Sequence, residues 1–323
     1  MEFELIERIR AHCSLVRADV LLGIGDDAAL LAPPAGHELA VSTDTLVDGV
    51  HFPHGAAPRD IGWKSLAVNL SDLAAMGATP AWALLNLTLP QADADFVDQF
   101  AAGFAELAGQ HHLALVGGDT TGGPLAIGVT VLGFVPAGRA LRRVGASVGD
   151  GVFVTGTLGD AVAGLYCTQA RTAPFSNLGD ALRAPLLERM RRPTPRVAAG
   201  IALRSQASAC IDVSDGLLAD LGHIARRSGV GIEVDAPLLP ASPALLRACD
   251  EATRIALQAS GGDDYELAFC ASPAHEAAIL RDLSRSGCGA TRIGRVVAGA
   301  GVRLLDAQRE EIVLTRAGWE HFA

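Results

Sequence analysis

Five times in this chain an aspartate stands beside glycine or a small hydroxyl residue, at the end of an apolar run or in a turn. The segments are Gly23-Ile24-Gly25-Asp26-Asp27, Ser42-Thr43-Asp44-Thr45, Gly117-Gly118-Asp119-Thr120, Asp212-Val213-Ser214-Asp215-Gly216 and Gly261-Gly262-Asp263-Asp264-Tyr265-Glu266. A sixth acid, Asp72, lies in Asn69-Leu70-Ser71-Asp72-Leu73, within a stretch of helical spacing that is apolar over most of its circumference. Taken singly, such an acid usually caps a helix or closes a turn, and Asp26 and Asp215 each read that way. Six together ask for more. Acids gathered in one cleft repel unless cations sit among them, and glycines beside them let backbone N–H groups approach an anion closely.

Around these segments the pattern predicts mixed strands and helices. A short helix is expected over residues 2–12, with Phe3, Ile6 and Ile9 on one face. A strand at 39–42 runs into Thr43-Asp44, and a long helix spans 60–76, with Trp63, Leu66, Leu70 and Leu73 at helical spacing. Strand 83–89, helix 94–110, strand 113–116 (ending in Gly117-Gly118-Asp119) and strand 125–135 follow. Residues 136–151 are rich in Gly and Arg and lack apolar periodicity, so a domain boundary is placed there, giving domains 1–138 and 139–323. In the second, strands are expected at 152–155, 209–213, 231–234, 265–270 and 291–297, with helices at 158–169, 183–191, 195–205, 217–227 and 273–286 and a final hairpin near 302–314. At 323 residues two domains are the expectation, in α+β or α/β layers. Gly-Gly-Asp occurs once in each half, at 117–119 and 261–263, a hint of two related layouts.

Composition narrows the chemistry. With 36 acids against 26 bases the formal charge is −10, which argues against non-specific nucleic-acid binding. Lys64 is the only lysine, so neither a Walker-A loop nor the protein-kinase lysine is present. Phosphates, if bound, must be held by metal, Arg and backbone N–H. The six cysteines are scattered without Cys-x-x-Cys and read as small buried hydrophobes in a reducing compartment. The charged, amphipathic N-terminus is unlike a signal peptide, and no run reaches the ~18 apolar residues of a membrane span. A cytoplasmic protein without membrane or nucleic-acid partners is expected.

The acids suit Mg²⁺, a hard ion that takes one or two carboxylates and completes its shell with water and phosphate; an EF-hand is excluded by spacing. His111-His112 read as solvated. His51, in Asp48-Gly49-Val50-His51-Phe52, is a surface-loop residue or a ligand contact. Arg142-Arg143 are solvated or form a phosphate fork. Trp319, in Gly318-Trp319-Glu320-His321-Phe322, is a core anchor or stacks on a substrate ring.

From Gly-Ile-Gly-Asp-Asp-Ala near the start to the closing Gly-Trp-Glu-His-Phe, the chain resembles the thiamine-monophosphate kinase family, within the superfamily of aminoimidazole ribonucleotide synthetase and selenophosphate synthetase. The most specific pieces are 42–52, 69–77, 212–217 and 261–267. The resemblance implies ATP and Mg²⁺ at the cleft, thiamine monophosphate as acceptor, and a homodimer in which strands of the first domain pair. It implies Asp27, Ser42, Thr43, Asp44, Asp72, Asp119, Asp212 and Asp215 as metal ligands, with Asp72, Asp119 and Asp212 carrying the catalysis. It further implies Gly118, Asp119, Arg143 and Ser214 as ATP contacts, and His51, Glu266 and Trp319 as acceptor contacts. Asp26, Asp48, Asp263 and Asp264 are neighbours of that set. The family often has a Tyr where His111-His112 stand here. Cys13 lacks the glycine-rich context of the reactive Cys of selenophosphate synthetase, and the C-terminal Cys of the hydrogenase-maturation relatives is missing.

The expected reaction is in-line transfer of the ATP γ-phosphoryl group to the phosphate of thiamine monophosphate. That phosphate has a second pKa of about 6, so it arrives ionised and needs no base. The barrier is repulsion between two polyanions, which metal offsets. An ATP-dependent synthetase acting on an amide or carbonyl oxygen and a non-catalytic nucleotide-binding dimer are the alternatives.

Overall fold

A computed structural model describes residues 2–169 and 174–320; His321 and Phe322 of the closing motif lie outside the described residues. The chain forms two compact units. The first takes the residues up to Leu73 together with Ala78–Gly138, and the second takes Ala74–Gly77 and everything from Arg139.

In the first unit, α1 (Glu2–His12) buries Leu5 and Ile9, one turn apart, and leaves Phe3 78% exposed. The helix is where its periodicity puts it, but the inward stripe is rotated from the expected Phe3, Ile6 and Ile9. Strands β1 (Val20–Leu22) and β2 (Leu30–Leu31) make a short antiparallel ribbon. There follow β3 (His37–Val47), α2 (Pro58–Ala75), β4 (Thr79–Leu89), α3 (Ala94–Gln110), β5 (Ala114–Gly122) and β6 (Ala126–Pro136). The sheet runs β3-β6-β4-β5, antiparallel except for the parallel pair β4 and β5, so β3 and β5 are its two edges. Leu66, Leu70 and Leu73 of α2 and Phe100 and Phe104 of α3 are fully buried. Each such side chain contributes roughly 1.5–3 kcal/mol. The two helices touch backbone to backbone: a Cβ on Gly62 would stand 2.0 Å from the Phe100 carbonyl oxygen, and one on Gly103 1.9 Å from that of Arg59.

Thr43-Asp44 and Gly117-Gly118-Asp119 lie inside strands, where an end or turn was expected. Eleven consecutive residues of β3 pair with β6, from His37 opposite Pro136 to Val47 opposite Ala126. That ladder carries Asp44 through despite its weak strand preference, because strand preference yields to pairing context.

The second unit contains β7 (Gly151–Thr155), α4 (Asp160–Thr168), α5 (Asp180–Arg191), α6 (Val197–Leu203), β8 (Ala209–Val213), α7 (Leu217–Ser228), β9 (Gly231–Asp235), α8 (Pro243–Ala248), α9 (Glu251–Ser260), β10 (Glu266–Ala271), α10 (Glu276–Arg285), β11 (Ala290–Val297) and β12 (Gly301–Leu305). Its sheet runs β12-β9-β11-β7-β10-β8 and is antiparallel except for β12 with β9. The final hairpin is present in short form: β12 pairs in parallel with β9, and the chain beyond it turns back through the antiparallel bridge of Leu305 with Glu311, flanked by Asp306 N–H donating to the Glu310 carbonyl (2.9 Å) and Ile312 N–H to the Leu304 carbonyl (2.8 Å). Helices α8 and α9 were not anticipated, although Ser242 and Asp250 cap them by accepting the N–H groups of Leu245 and Thr253. Leu217, Leu221 and Ile224 of α7 pack with Val152, Val154, Ile211, Val213, Ile232 and Val234 of the sheet into one core. All six cysteines are free. Among the described residues no helix is long and apolar enough to cross a membrane.

Candidate active site

Strand alternation sorts the ligand candidates of the first unit into two groups. Ser42 and Asp44 share one face of β3, the face that α2 covers, and the Ser42 hydroxyl donates to Asp72 Oδ2 across 2.5 Å. Thr43 points to the other face, where its hydroxyl accepts from Thr130 (2.9 Å) and donates to the Val129 carbonyl (3.1 Å). Thr43 therefore cannot join Ser42 and Asp44 through its side chain. Asp119 stands opposite Asn86, Asn86 opposite Gly128, and Gly128 opposite Thr45, so Asp119 shares the face of Thr43. It lies on the far edge, three strand spacings or about 14 Å away. Within one unit Asp44 and Asp119 cannot hold the same ion.

Gly118, at φ 146°, is required by packing, since a Cβ there would stand 1.8 Å from the Leu85 carbonyl oxygen. Asp26 closes its own turn by accepting the Asp27 N–H (2.9 Å), and both acids are exposed. His51 accepts the Val47 N–H at Nδ1 (2.9 Å), so the neutral ring carries its proton on Nε2. Its carbonyl receives Lys64 Nζ at 3.0 Å. The chain's single lysine is buried and braces the His51 loop, a role that composition did not reveal. Asp48 pairs with His54 (2.9 Å).

In the second unit Asp212 is buried in β8, and Ser214 and Asp215 are half-buried in the turn leading to α7. Asp215 does not cap that helix. The N-cap is Gly216, without a side-chain bond, and the N–H groups of Ser214, Asp215 and Gly216 all converge on Asp220 Oδ2 at 3.1, 3.2 and 3.2 Å. Burial and the neighbouring Asp215 push the Asp220 carboxyl up to about 7, against the pull of those three N–H groups. Asp220 was missed in the sequence, where it reads as an ordinary residue of the first turn of a helix. The backbone around Asp215 is thus not open to phosphate, and Ser214 has its hydroxyl to offer. Arg143 is exposed, and its neighbour Arg142 is pinned to β8 because its carbonyl accepts the Cys210 N–H (2.9 Å). His223 of α7 lies within electrostatic reach of both Arg143 and Asp215; burial first, then Arg226 and Arg143, hold its pKa down.

Glu266 is a correction. Its side chain is fully buried, Arg196 grips it with Nε and Nη2 (2.6 and 2.5 Å), Arg189 Nη2 donates at 2.8 Å and the Thr155 hydroxyl at 2.7 Å. A carboxylate with four protein donors has no capacity left for a ligand. Asp264 is likewise fully buried and receives the Gly159 N–H (2.7 Å); burial raises its pKa well above the carboxylate range. The acid of this segment that stays accessible is Asp263, held in a left-handed conformation (φ 69°) and receiving the Tyr265 hydroxyl at 3.0 Å. Trp319 is no core anchor: its side chain is on the surface, and its N–H donates to the Asp215 carbonyl (2.9 Å).

The donors Ser42, Asp44 and Asp72 are all oxygens, which suits a hard cation, and none of them is joined by a soft ligand. Among the described residues no three His, Cys, Asp or Glu side chains form a closed cage.

Comparison with known proteins places the chain. Residues 25–135 match the AIR synthase related protein N-terminal domain, and residues 147–307 match the C-terminal domain of the same description. The thiamine-monophosphate kinase of Salmonella typhimurium is 45% identical over 324 residues, spanning 100% of this chain and 98% of its own. A crystal structure of thiamine-monophosphate kinase from Stenotrophomonas maltophilia K279a superposes with a TM-score of 0.87 at 51% identity, covering 94% of this chain and 96% of the other. A ThiL structure complexed with AMPPCP and TMP superposes with a TM-score of 0.78 at 34% identity, covering 99% and 97%.

Proposed function

We infer, from the premise that this chain belongs to the AIR synthase related family and within it to the thiamine-monophosphate kinases, that it phosphorylates thiamine monophosphate with ATP. The observation that carries this reading is the full-length match to a relative whose structure is complexed with an ATP analogue and TMP. The products are thiamine diphosphate and ADP. The accepting phosphate oxygen is already ionised near neutral pH, so the residues have to bind and align two anions and have no proton to remove.

The part each residue plays is our proposal. In the first unit Ser42, Asp44 and Asp72 make one oxygen-donor group for Mg²⁺, and Asp27 is a further metal candidate. Thr43 and Asp119 share the other face but stand on opposite edges, so they make a second group only across two chains, and Gly118 lets ATP approach the β5 edge. Asp212, Asp215 and the Ser214 hydroxyl are the corresponding metal and ATP residues of the second unit, and Arg143 is the phosphate-facing cation. On the acceptor side stand His51, through Nε2, and Trp319, whose exposed ring can stack on the aromatic part of thiamine. Asp263 takes the place first expected for Glu266, being the accessible acid of that turn. Bound Mg²⁺ would neutralise phosphate charge and so lower the repulsion between donor and acceptor.

A homodimer is part of the same proposal. Thr43 and Asp119 lie on one face at opposite edges of the sheet, and a second copy whose β5 edge meets β3 brings one of each together. The face that Val41 and Leu84 leave exposed supplies apolar surface for it. A cytoplasmic location, where ATP and Mg²⁺ are available, suits this chemistry.

The test is direct. Purified protein with ATP, Mg²⁺ and thiamine monophosphate should form thiamine diphosphate and ADP in equal amounts. ADP release without any stimulation by thiamine monophosphate would point to the synthetase reading.

A further inference from the structure

Three backbone N–H groups in succession, on Ser214, Asp215 and Gly216, point at one oxygen of Asp220 at 3.1–3.2 Å. Successive N–H groups at the start of a helix form a concave nest that elsewhere receives phosphate. Here the chain fills it with its own buried carboxylate, supplied from the fourth residue of α7. Gly216 makes the geometry possible: its φ is 135°, and a Cβ would stand 2.9 Å from the Ser260 carbonyl oxygen.

The loop held in this way is also a junction. The Val213 carbonyl accepts the Tyr265 N–H (2.8 Å), the Ser214 carbonyl the Asp263 N–H (2.8 Å), and the Asp215 carbonyl the Trp319 N–H (2.9 Å). Its side chains Ser214 and Asp215 are assigned to ATP and metal, whereas Asp263 and Trp319 are assigned to the acceptor. One short loop therefore sets the spacing between the two groups of contacts.

We propose that Asp220 is a positioning residue for phosphoryl transfer: by occupying the nest it fixes the loop 213–216, and through it the register between the ATP-side residues and the acceptor-side residues. The proposal rests on the kinase reading above. Asp220 touches no substrate itself. Its contribution lies in alignment, where a displacement of about 1 Å costs on the order of 100-fold in rate.

Two measurements decide it. In the wild-type protein, amide hydrogen exchange at Ser214, Asp215 and Gly216 should be slowed at least about 100-fold relative to an open loop; exchange at open-loop rates would overturn the proposal. In Asp220→Asn, which keeps the shape but loses the charge, kcat should fall about 10- to 100-fold and the half-saturating concentrations of both Mg²⁺ and thiamine monophosphate should rise, with the melting temperature lowered by only a few degrees. Wild-type kcat with wild-type half-saturation in the folded variant would sink the idea, because a purely structural carboxylate predicts that result. If Asp220→Asn does not fold, the exchange measurement decides alone. Absence of thiamine diphosphate formation by the wild-type protein would defeat the kinase reading but leave the exchange result standing, so the two failures are distinguishable.

Discussion

Glu266 and Asp263 are three residues apart and do opposite work. Glu266 is the buried counter-charge of Arg189 and Arg196, and removing one partner of a buried ion pair typically costs about 3–5 kcal/mol. Glu266→Gln should therefore lower the melting temperature sharply and reduce activity only as far as folded protein is lost. Asp263→Asn should melt near the wild-type temperature and raise KM for thiamine monophosphate roughly 10- to 100-fold, the worth of a hydrogen bond to a charged group. Thermal melts and steady-state kinetics on the two variants separate them. If Asp263→Asn leaves KM unchanged, the acceptor does not reach this turn.

Among the elements, the ribbon of β1 and β2 is tied to the first sheet by apolar packing of Val20 and Leu31 and by one carboxylate. Arg17 grips Asp19 with two hydrogen bonds (2.8 and 2.6 Å), and Trp82 of β4 donates its indole N–H to the same group (3.1 Å). Trp82 in turn meets Phe134 edge to face at 4.9 Å. The Arg17 hydrogen bond, partly opposed by burial and assisted by Trp82, lowers the Asp19 pKa. With the folded value below the unfolded one, the stabilisation is present above the ordinary carboxylate pKa and is lost as pH falls through the folded value. Asp19→Asn should thus destabilise by about 1–2 kcal/mol at pH 7. Denaturant titration should show the gap between variant and wild type closing below pH 4. The helices α2, α3 and α7 were legible because their apolar residues recur at the helical period. Strand limits were not, because Asp44, Gly118 and Asp119 are poor strand formers that a full ladder of partners carries along. The turn-back expected near 302–314 is there, but the strand that β12 joins, β9, lies some 70 residues earlier, and no local pattern states that pairing.

For the whole molecule the open question of assembly has a sharp test. Val41 is 58% exposed on the edge strand β3, and a lysine on an edge opposes strand association. Val41→Lys should reduce the mass in sedimentation from two chains to one and abolish thiamine diphosphate formation with it. A monomeric variant of full activity would show that each chain is complete alone. What the sequence by itself determined was the family: a lone lysine, no P-loop, and aspartates in six segments, five of them beside glycine or a small hydroxyl residue, form the pattern of the family to which the chain belongs. It also located nearly every segment that carries a candidate residue. Only the tertiary structure decided which acids remain accessible. Asp220, Asp264 and Glu266 look like Asp215 and Asp263 on paper, yet packing hands the first three to internal N–H groups and arginines. The physical reason is that a carboxylate's role depends on the donors and the burial around it. Those come from residues distant in the chain, as Arg189 and Arg196 are from Glu266, or from a backbone turn whose N–H directions exist only once the helix has formed.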